Sequence, residues 1–307
     1  MVRMMRLKYI RAALIFGAAL ACVQVQLSSG KGLSVRNTAG FQLLVDEDSV
    51  QPTLRIVLPG YSTSDKTIQV LFPEHVSARR SGSSTVEHLY LSRSATAEDR
   101  PRWRRVERSL EYKRDLPHDI HLLARATLED DGVRFHYEFT NRSSAAYDMI
   151  YAVTDPRLTS IFHDVRLERT YVHHSDGFDL LASETPSRLT MPLDKWLPTR
   201  YLASFKWPVP VSLAERREDG ITYYNKSRKV DQPFIATLST DGGWVVASFA
   251  RDTGNVWSNP ELTCQHVDPQ APLPPQQRVT LEVKILILHS SLDEALHRAI
   301  RQRKSLK

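Results

Sequence analysis

Cysteine is nearly missing: among 307 residues only Cys22 and Cys264 are present. A structural zinc site built on cysteines is excluded by that count, and no disulfide framework can form. Long hydrophobic runs are missing beyond Ala12–Val23. So are a G-x-S-x-G elbow, a glycine-rich phosphate loop, a dinucleotide fingerprint and an H-E-x-x-H pair. These absences disfavour nucleotide, hydrolase-elbow and zinc-protease chemistry. The net charge is +6 and the pI about 9.3, yet zinc-finger spacing, an RNP-type motif and a basic helix are also lacking. The densest basic run, Arg100–Arg108, is broken by Pro101, Trp103, Val106 and Glu107. Nucleic acid is therefore not the expected partner.

What is present begins with a leader. Arg3, Arg6, Lys8 and Arg11 precede the apolar stretch Ala12–Val23, and Ala19-Leu20-Ala21 has the A-x-A form of a cleavage site. The stretch is shorter than the roughly 20 residues of a spanning helix, so residues 1–21 read as a signal peptide. Lipidation at Cys22 and an uncleaved anchor are the alternatives. The expected location is periplasmic or secreted, with no membrane span in the mature chain. Residues 22–39 read as a linker, 40–300 as one domain, and 301–307 as a solvated basic tail.

The domain reads as all-β. In Val133–Thr140, Val, Phe, Tyr and Phe alternate with Arg, His, Glu and Thr, the period of a half-buried strand. Asp130-Asp131-Gly132 before it is a turn, and Ile120–Leu128 is its hairpin partner. Further strands are expected at 41–45, 54–58, 68–72, 87–91, 147–153, 165–172, 221–224, 234–239, 244–249 and 279–288. Many short strands between turns indicate a large antiparallel β-sandwich. One short helix closes the chain: Ser291-Leu292-Asp293-Glu294 is a capping box ahead of Leu292, Ala295, Leu296 and Ala299. Residues 183–217 and 251–278 lack periodicity and read as long loops, where function concentrates.

Reactive side chains cluster in three windows: 162–177, 194–201 and 254–269. In extended geometry His174 and Asp176 share a face, and acid–base work or ligand binding competes there with a surface turn. Cys264, His266 and Asp268 also alternate onto one face. All three types bind metals, but a buried thiol beside a hydrogen-bonded histidine is the leading reading, and no metal or cofactor is expected. Asn255, Trp257, Asn259, Glu261 and Gln265 set planar polar groups beside an indole. Trp196, Arg200 and Tyr201 repeat that mixture. A sugar offers hydroxyls around an apolar C–H face and is met by such side chains. Against this stands a purely structural role, with tryptophans plugging the sandwich ends. Arg157, Arg166, Arg169 and Arg200 could hold an anionic ligand such as a uronic acid, although strand-face ion pairs are the leading reading.

The run Trp244–Ser248, Gly254–Pro260, His266–Pro269 and Leu292–Leu296 resembles the tail of bacterial carbohydrate-associated proteins with the galactose-mutarotase-like supersandwich. The similarity covers about residues 40–296. It implies a concave sheet face that holds a sugar, and, in epimerase members, a histidine acid and a glutamate base acting at the anomeric centre. His174 and His266 are the nearest candidates for the acid and Glu261 for the base. Trp196, Arg200, Tyr201, Asn255, Trp257, Asn259 and Asp268 would then bind substrate. The leader departs from the cytosolic mutarotases. The expected partner is a carbohydrate or glycan. A non-catalytic glycan-binding module and a structural cell-envelope protein are the alternatives, because fold does not fix function.

Overall fold

The computed structural model describes residues 32–61, 67–185, 190–192 and 197–307. Among them, strands dominate and fall into four sheets. The largest has nine strands. In spatial order they are Gly177–Leu180, Thr170–His174, Phe234–Leu238, Val245–Ala250, Arg278–Leu288, Gly132–Asn141, Ile120–Glu129, Ser109–Leu116 and Arg104–Val106. A five-stranded sheet runs Ser34–Arg36, Gln42–Val45, Thr53–Val57, Thr67–Leu71, Asp155–Arg157. Two four-stranded sheets complete the set: Ala271–Leu273, Tyr147–Ala152, His75–Arg80, Glu87–Leu91, and Ala214–Arg216, Thr222–Asn225, Thr199–Ser204, Asn255–Ser258. This is the all-β, antiparallel sandwich with a C-terminal helix that the alternation indicates.

The central hairpin shows why the sheets close on each other. Val133, Phe135, Tyr137 and Phe139 pair with Leu128, Ala126, Ala124 and Leu122, and all eight are buried. Phe72, from the five-stranded side, packs its ring 4.9 Å from Phe135 and 4.7 Å from Tyr137. Each such side chain contributes about 1.5–3 kcal/mol by leaving water. Two tyrosine hydroxyls buried here keep partners: Tyr112 donates to the Phe72 carbonyl at 2.6 Å, and Tyr137 meets Thr154 at 2.8 Å. The opposite face of the hairpin carries cross-strand ion pairs, among them Arg134–Glu129 and His136–Glu282.

Val245–Ala250 is buried at every position, because both faces of the sheet are covered there. Val246 and Ala250 join the sandwich core, whereas Val245, Ala247 and Phe249 pack against the helix Leu292–Arg303 through Ala295, Leu296 and Ala299. Ser291 caps that helix by accepting from Glu294 N.

Several sequence expectations shift. The strand placed at 165–172 begins only at Thr170. Ahead of it Asp164 accepts from the backbone of Glu168 and Arg169, at 3.0 and 2.7 Å, and Leu167 sits at φ +51°; this turn chemistry overrides strand propensity. Ser34–Arg36, within the stretch read as linker, pairs with Gln42–Leu44. Residues 301–307 do not trail away as a free tail: the helix runs through Arg303, Leu306 is buried, and Lys307 accepts from Glu282 N and donates its own N–H to the Glu282 carboxylate, while Arg301, Lys304, Ser305 and Lys307 remain exposed. The two segments read as long loops hold strands, and these strands build the site.

Candidate functional site

A cavity of about 440 Å³ lies between the two four-stranded sheets. His75 and Arg79 from His75–Arg80, with Met149 and Tyr151 from Tyr147–Ala152, form one side. Arg200 and Leu202 from Thr199–Ser204, Tyr223 from Thr222–Asn225, and Asn255 and Trp257 from Asn255–Ser258 form the other. The two-residue period of a strand decides which side chains arrive. Arg200 and Leu202 reach the cavity, while Thr199, Tyr201 and Ala203 between them are buried. Asp268 and Gln270 add a carboxylate and an amide.

Trp207 overhangs the mouth, half-exposed. Its place depends on Gly254. The Gly254 carbonyl accepts from the backbone nitrogens of Phe205, Lys206 and Trp207, each at 3.0 Å. A Cβ on Gly254 would stand 2.1 Å from Cε2 of the Trp207 indole, so only glycine permits this approach. Gly254→Ala is expected to expel the indole and alter tryptophan fluorescence without unfolding the protein. The same change made in a Trp207→Phe background should leave the spectrum unmoved.

Beneath the cavity, Trp257 and His266 exchange two backbone hydrogen bonds, at 3.1 and 3.0 Å. Their rings consequently stack, with centroids 3.7 Å apart and planes 4° from parallel. His266 is sealed under the indole. Its Nε2 lies 3.5 Å from Asp155 Oδ1 and its Nδ1 lies 3.4 Å from Asp268 Oδ2. Burial disfavours a charged imidazole here. Contacts with Cys264, Asp155 and Asp268 outweigh burial and raise the His266 pKa well above its usual value. Burial likewise works against an ionised Asp155, but His266 and Arg157 hold its pKa below the ordinary range. Burial pushes the Cys264 thiol up. At the cavity wall, burial raises the Tyr151 phenol, which therefore stays a donor at neutral pH.

Of the residues expected to form the site, Arg200, Asn255, Trp257 and Asp268 do line the cavity. The others are placed elsewhere. Tyr201 points into the core and stacks on Tyr224 at 5.1 Å. Asn259 is buried, donating to Cys264 Sγ at 3.0 Å while its Oδ1 accepts from Leu262 N, which makes it a turn-former. Glu261 pairs with Arg200 at 3.4 Å and is not part of the cavity lining. His174 is buried in the nine-stranded sheet with Nδ1 at the Lys229 carbonyl, 2.7 Å away. It does not share a face with Asp176, because the chain turns between Thr170–His174 and Gly177–Leu180; Asp176 ion-pairs with Arg228 at 2.7 Å. Trp196 lies outside the described residues. Of the arginines weighed for an anion, Arg157 holds Asp155 and Arg169 holds the backbone carbonyls of Ile161, Leu238 and His163.

His75, Arg79, Tyr151, Trp207 and Tyr223 enter the site without having been singled out. His75 and Arg79 stand four residues apart on one strand, hence on the same face, a spacing visible in the sequence once the strand is known.

No known family profile matches the sequence, and no curated protein matches it. Solved structures do. A protein from Synechocystis sp. PCC 6803 is similar at 11% identity and a TM-score of 0.49, over 87% of this chain and 99% of that one. A galactose mutarotase related enzyme from Lactobacillus acidophilus is similar at 10% identity and a TM-score of 0.48, over 85% and 99%. A galactose mutarotase-like protein from Lactobacillus casei follows at 11% and 0.46, over 84% and 100%. What the chain binds has to be read from the cavity itself.

Proposed function

We propose that this chain binds a carbohydrate in the cavity between the two four-stranded sheets, as a recognition site rather than a catalytic one. The observation that carries the reading is the mixed wall. Trp257, Trp207 and Tyr223 supply flat apolar surface, while Arg79, Arg200, Asn255, Asp268 and Gln270 supply donors and acceptors around it. A sugar needs both, and a cavity of this size accepts one or two sugar units. The residues that would have acted as acid and base do not meet there. His174 and Glu261 stand away from the wall, and His266 is closed off by Trp257. Asp268 is the sole carboxylate among the described lining residues, whereas glycoside hydrolysis commonly employs two. The leader read in residues 1–21 assigns this binding to the periplasm or the cell exterior. Among the described residues no helix is long and apolar enough to cross a membrane.

The test is a glycan array followed by calorimetry on the full chain, with Trp257→Ala beside it. A saccharide is expected to bind, and the variant to lose about tenfold or more in affinity. A folded wild-type protein that binds no saccharide removes the reading.

A further inference from the structure

Under Trp257, three side chains that the carbohydrate reading does not use come together: Asp155, Cys264 and His266. All three are buried, and one ligand atom from each lies within 4.8 Å of the others. We propose that these residues form a binding site for a divalent transition metal of the zinc type, with Asp155 Oδ1, Cys264 Sγ and His266 Nε2 as ligands.

The first support is an unsatisfied atom. Asp155 is 1% exposed, and its Oδ1 has no hydrogen-bond partner. Arg157 Nε takes only the other oxygen, Oδ2, at 2.7 Å. A buried carboxylate oxygen without a hydrogen bond is costly, and this one meets His266 Nε2 in a loose ion pair at 3.5 Å. That separation fits two ligands on one ion: zinc–nitrogen and zinc–oxygen bonds of about 2.0–2.2 Å at a tetrahedral angle place their ends about 3.4 Å apart.

The second support is that each ligand has an outer partner of the type metal sites employ. Asp268 Oδ2 stands 3.4 Å from His266 Nδ1, on the far side of the ring, which is the carboxylate–histidine arrangement that fixes a ligating imidazole. Asn259 Nδ2 donates to Cys264 Sγ at 3.0 Å, a contact that stabilises a thiolate. Arg157 anchors Asp155 through the oxygen that does not ligate. Sulfur, nitrogen and carboxylate oxygen together suit zinc better than the hard cations, which prefer oxygen alone. Three protein ligands leave a fourth position for water. On binding, the Cys264 thiol proton and any proton on the Nε2 of His266 pass to the buffer, so uptake releases acid. Asp268 belongs to both the cavity wall and this cluster.

Cobalt(II) is the probe, because a cobalt–thiolate bond has a sulfur-to-metal charge-transfer band. The experiment uses the full chain carrying Cys22→Ser, so that Cys264 is the lone thiol. One equivalent of cobalt is expected to raise that band, and zinc to abolish it by displacement. Cys264→Ser should lose the band. Asp268→Asn should keep it while weakening affinity about 10- to 100-fold, the effect of an outer-shell change. A folded Cys22→Ser protein that shows no band overturns the site, as does a band that survives in Cys264→Ser. Should Cys264→Ser fail to fold, the parent titration and Asp268→Asn still decide: unchanged cobalt affinity in Asp268→Asn also counts against the assignment.

Discussion

Gly132→Ala is expected to lower the free energy of unfolding by about 3 kcal/mol or more, measured by urea denaturation. Gly132 opens the strand Gly132–Asn141 at φ +145°, a backbone conformation that side chains rarely tolerate. A Cβ there would also lie 2.0 Å from the Ile285 carbonyl oxygen of the neighbouring strand. The clash is with backbone at the centre of the nine-stranded sheet, so no side chain can swing aside to relieve it. The turn before it is fixed as well, since the Asp131 carbonyl accepts from Ile287 N at 2.8 Å. A variant within 1 kcal/mol of wild type would mean that the sheet yields locally and that this approach does not constrain the fold.

Lys284→Met is expected to cost about 2–3 kcal/mol near neutral pH, toward the lower end for a broken buried pair. Lys284 is 1% exposed on the strand Arg278–Leu288 and is held by Glu129 and by Asp131, the latter at 2.7 Å. Methionine preserves most of the volume, so the loss reports charge rather than packing. Water reaches the two carboxylates, which are 29% and 15% exposed, and softens their isolation. The pH dependence follows from Asp131. Burial opposes its ionisation, but Lys284, Gln302 and Arg298 outweigh burial and hold its pKa below the ordinary value. A depressed folded pKa stabilises above the unfolded carboxylate value, near about 3.9, and that stability is lost as pH falls through the folded value. The gap between wild type and Lys284→Met should therefore be full at neutrality and close in acid. A gap that persists unchanged in acid would assign the effect to packing.

The fold was more legible in the sequence than the site, for a physical reason. Val133–Thr140 advertises itself because one face is buried apolar and the other solvated polar. Thr199–Ser204 does not: Arg200 and Leu202 share the cavity face while Thr199 and Tyr201 share the buried one. A strand whose outer face lines a binding cavity mixes polar and apolar residues on the same side, and period-2 reading then fails. Trp257 and Asn255 were found by chemistry, as an indole beside an amide. His75 and Arg79 were not, because nothing in the residues around them says that this strand faces the others across a gap. Tyr201 and Asn259 were of the right type in the wrong phase, one turned into the core and one spent on a turn. His266 was correctly sensed as belonging with Asp268, but Asp155, a hundred residues earlier in the chain, had no signal linking it to that pair.

Thr199–Ser204 and Thr222–Asn225 run parallel, whereas every other paired strand described runs antiparallel. Parallel neighbours cannot be joined by a tight hairpin and need a long crossover. That obligatory detour is residues 205–221, and it brings Trp207 to the cavity mouth and leaves Val211 and Leu213 exposed. Ala214–Arg216 of that detour pairs with Thr222–Asn225 and belongs to the sheet, so the side chains left to vary are those of the stretch before it, which carries Trp207, Val211 and Leu213. A chain with this sheet could therefore exchange one ligand preference for another by rewriting that stretch alone, with the paired strands beneath it unaltered.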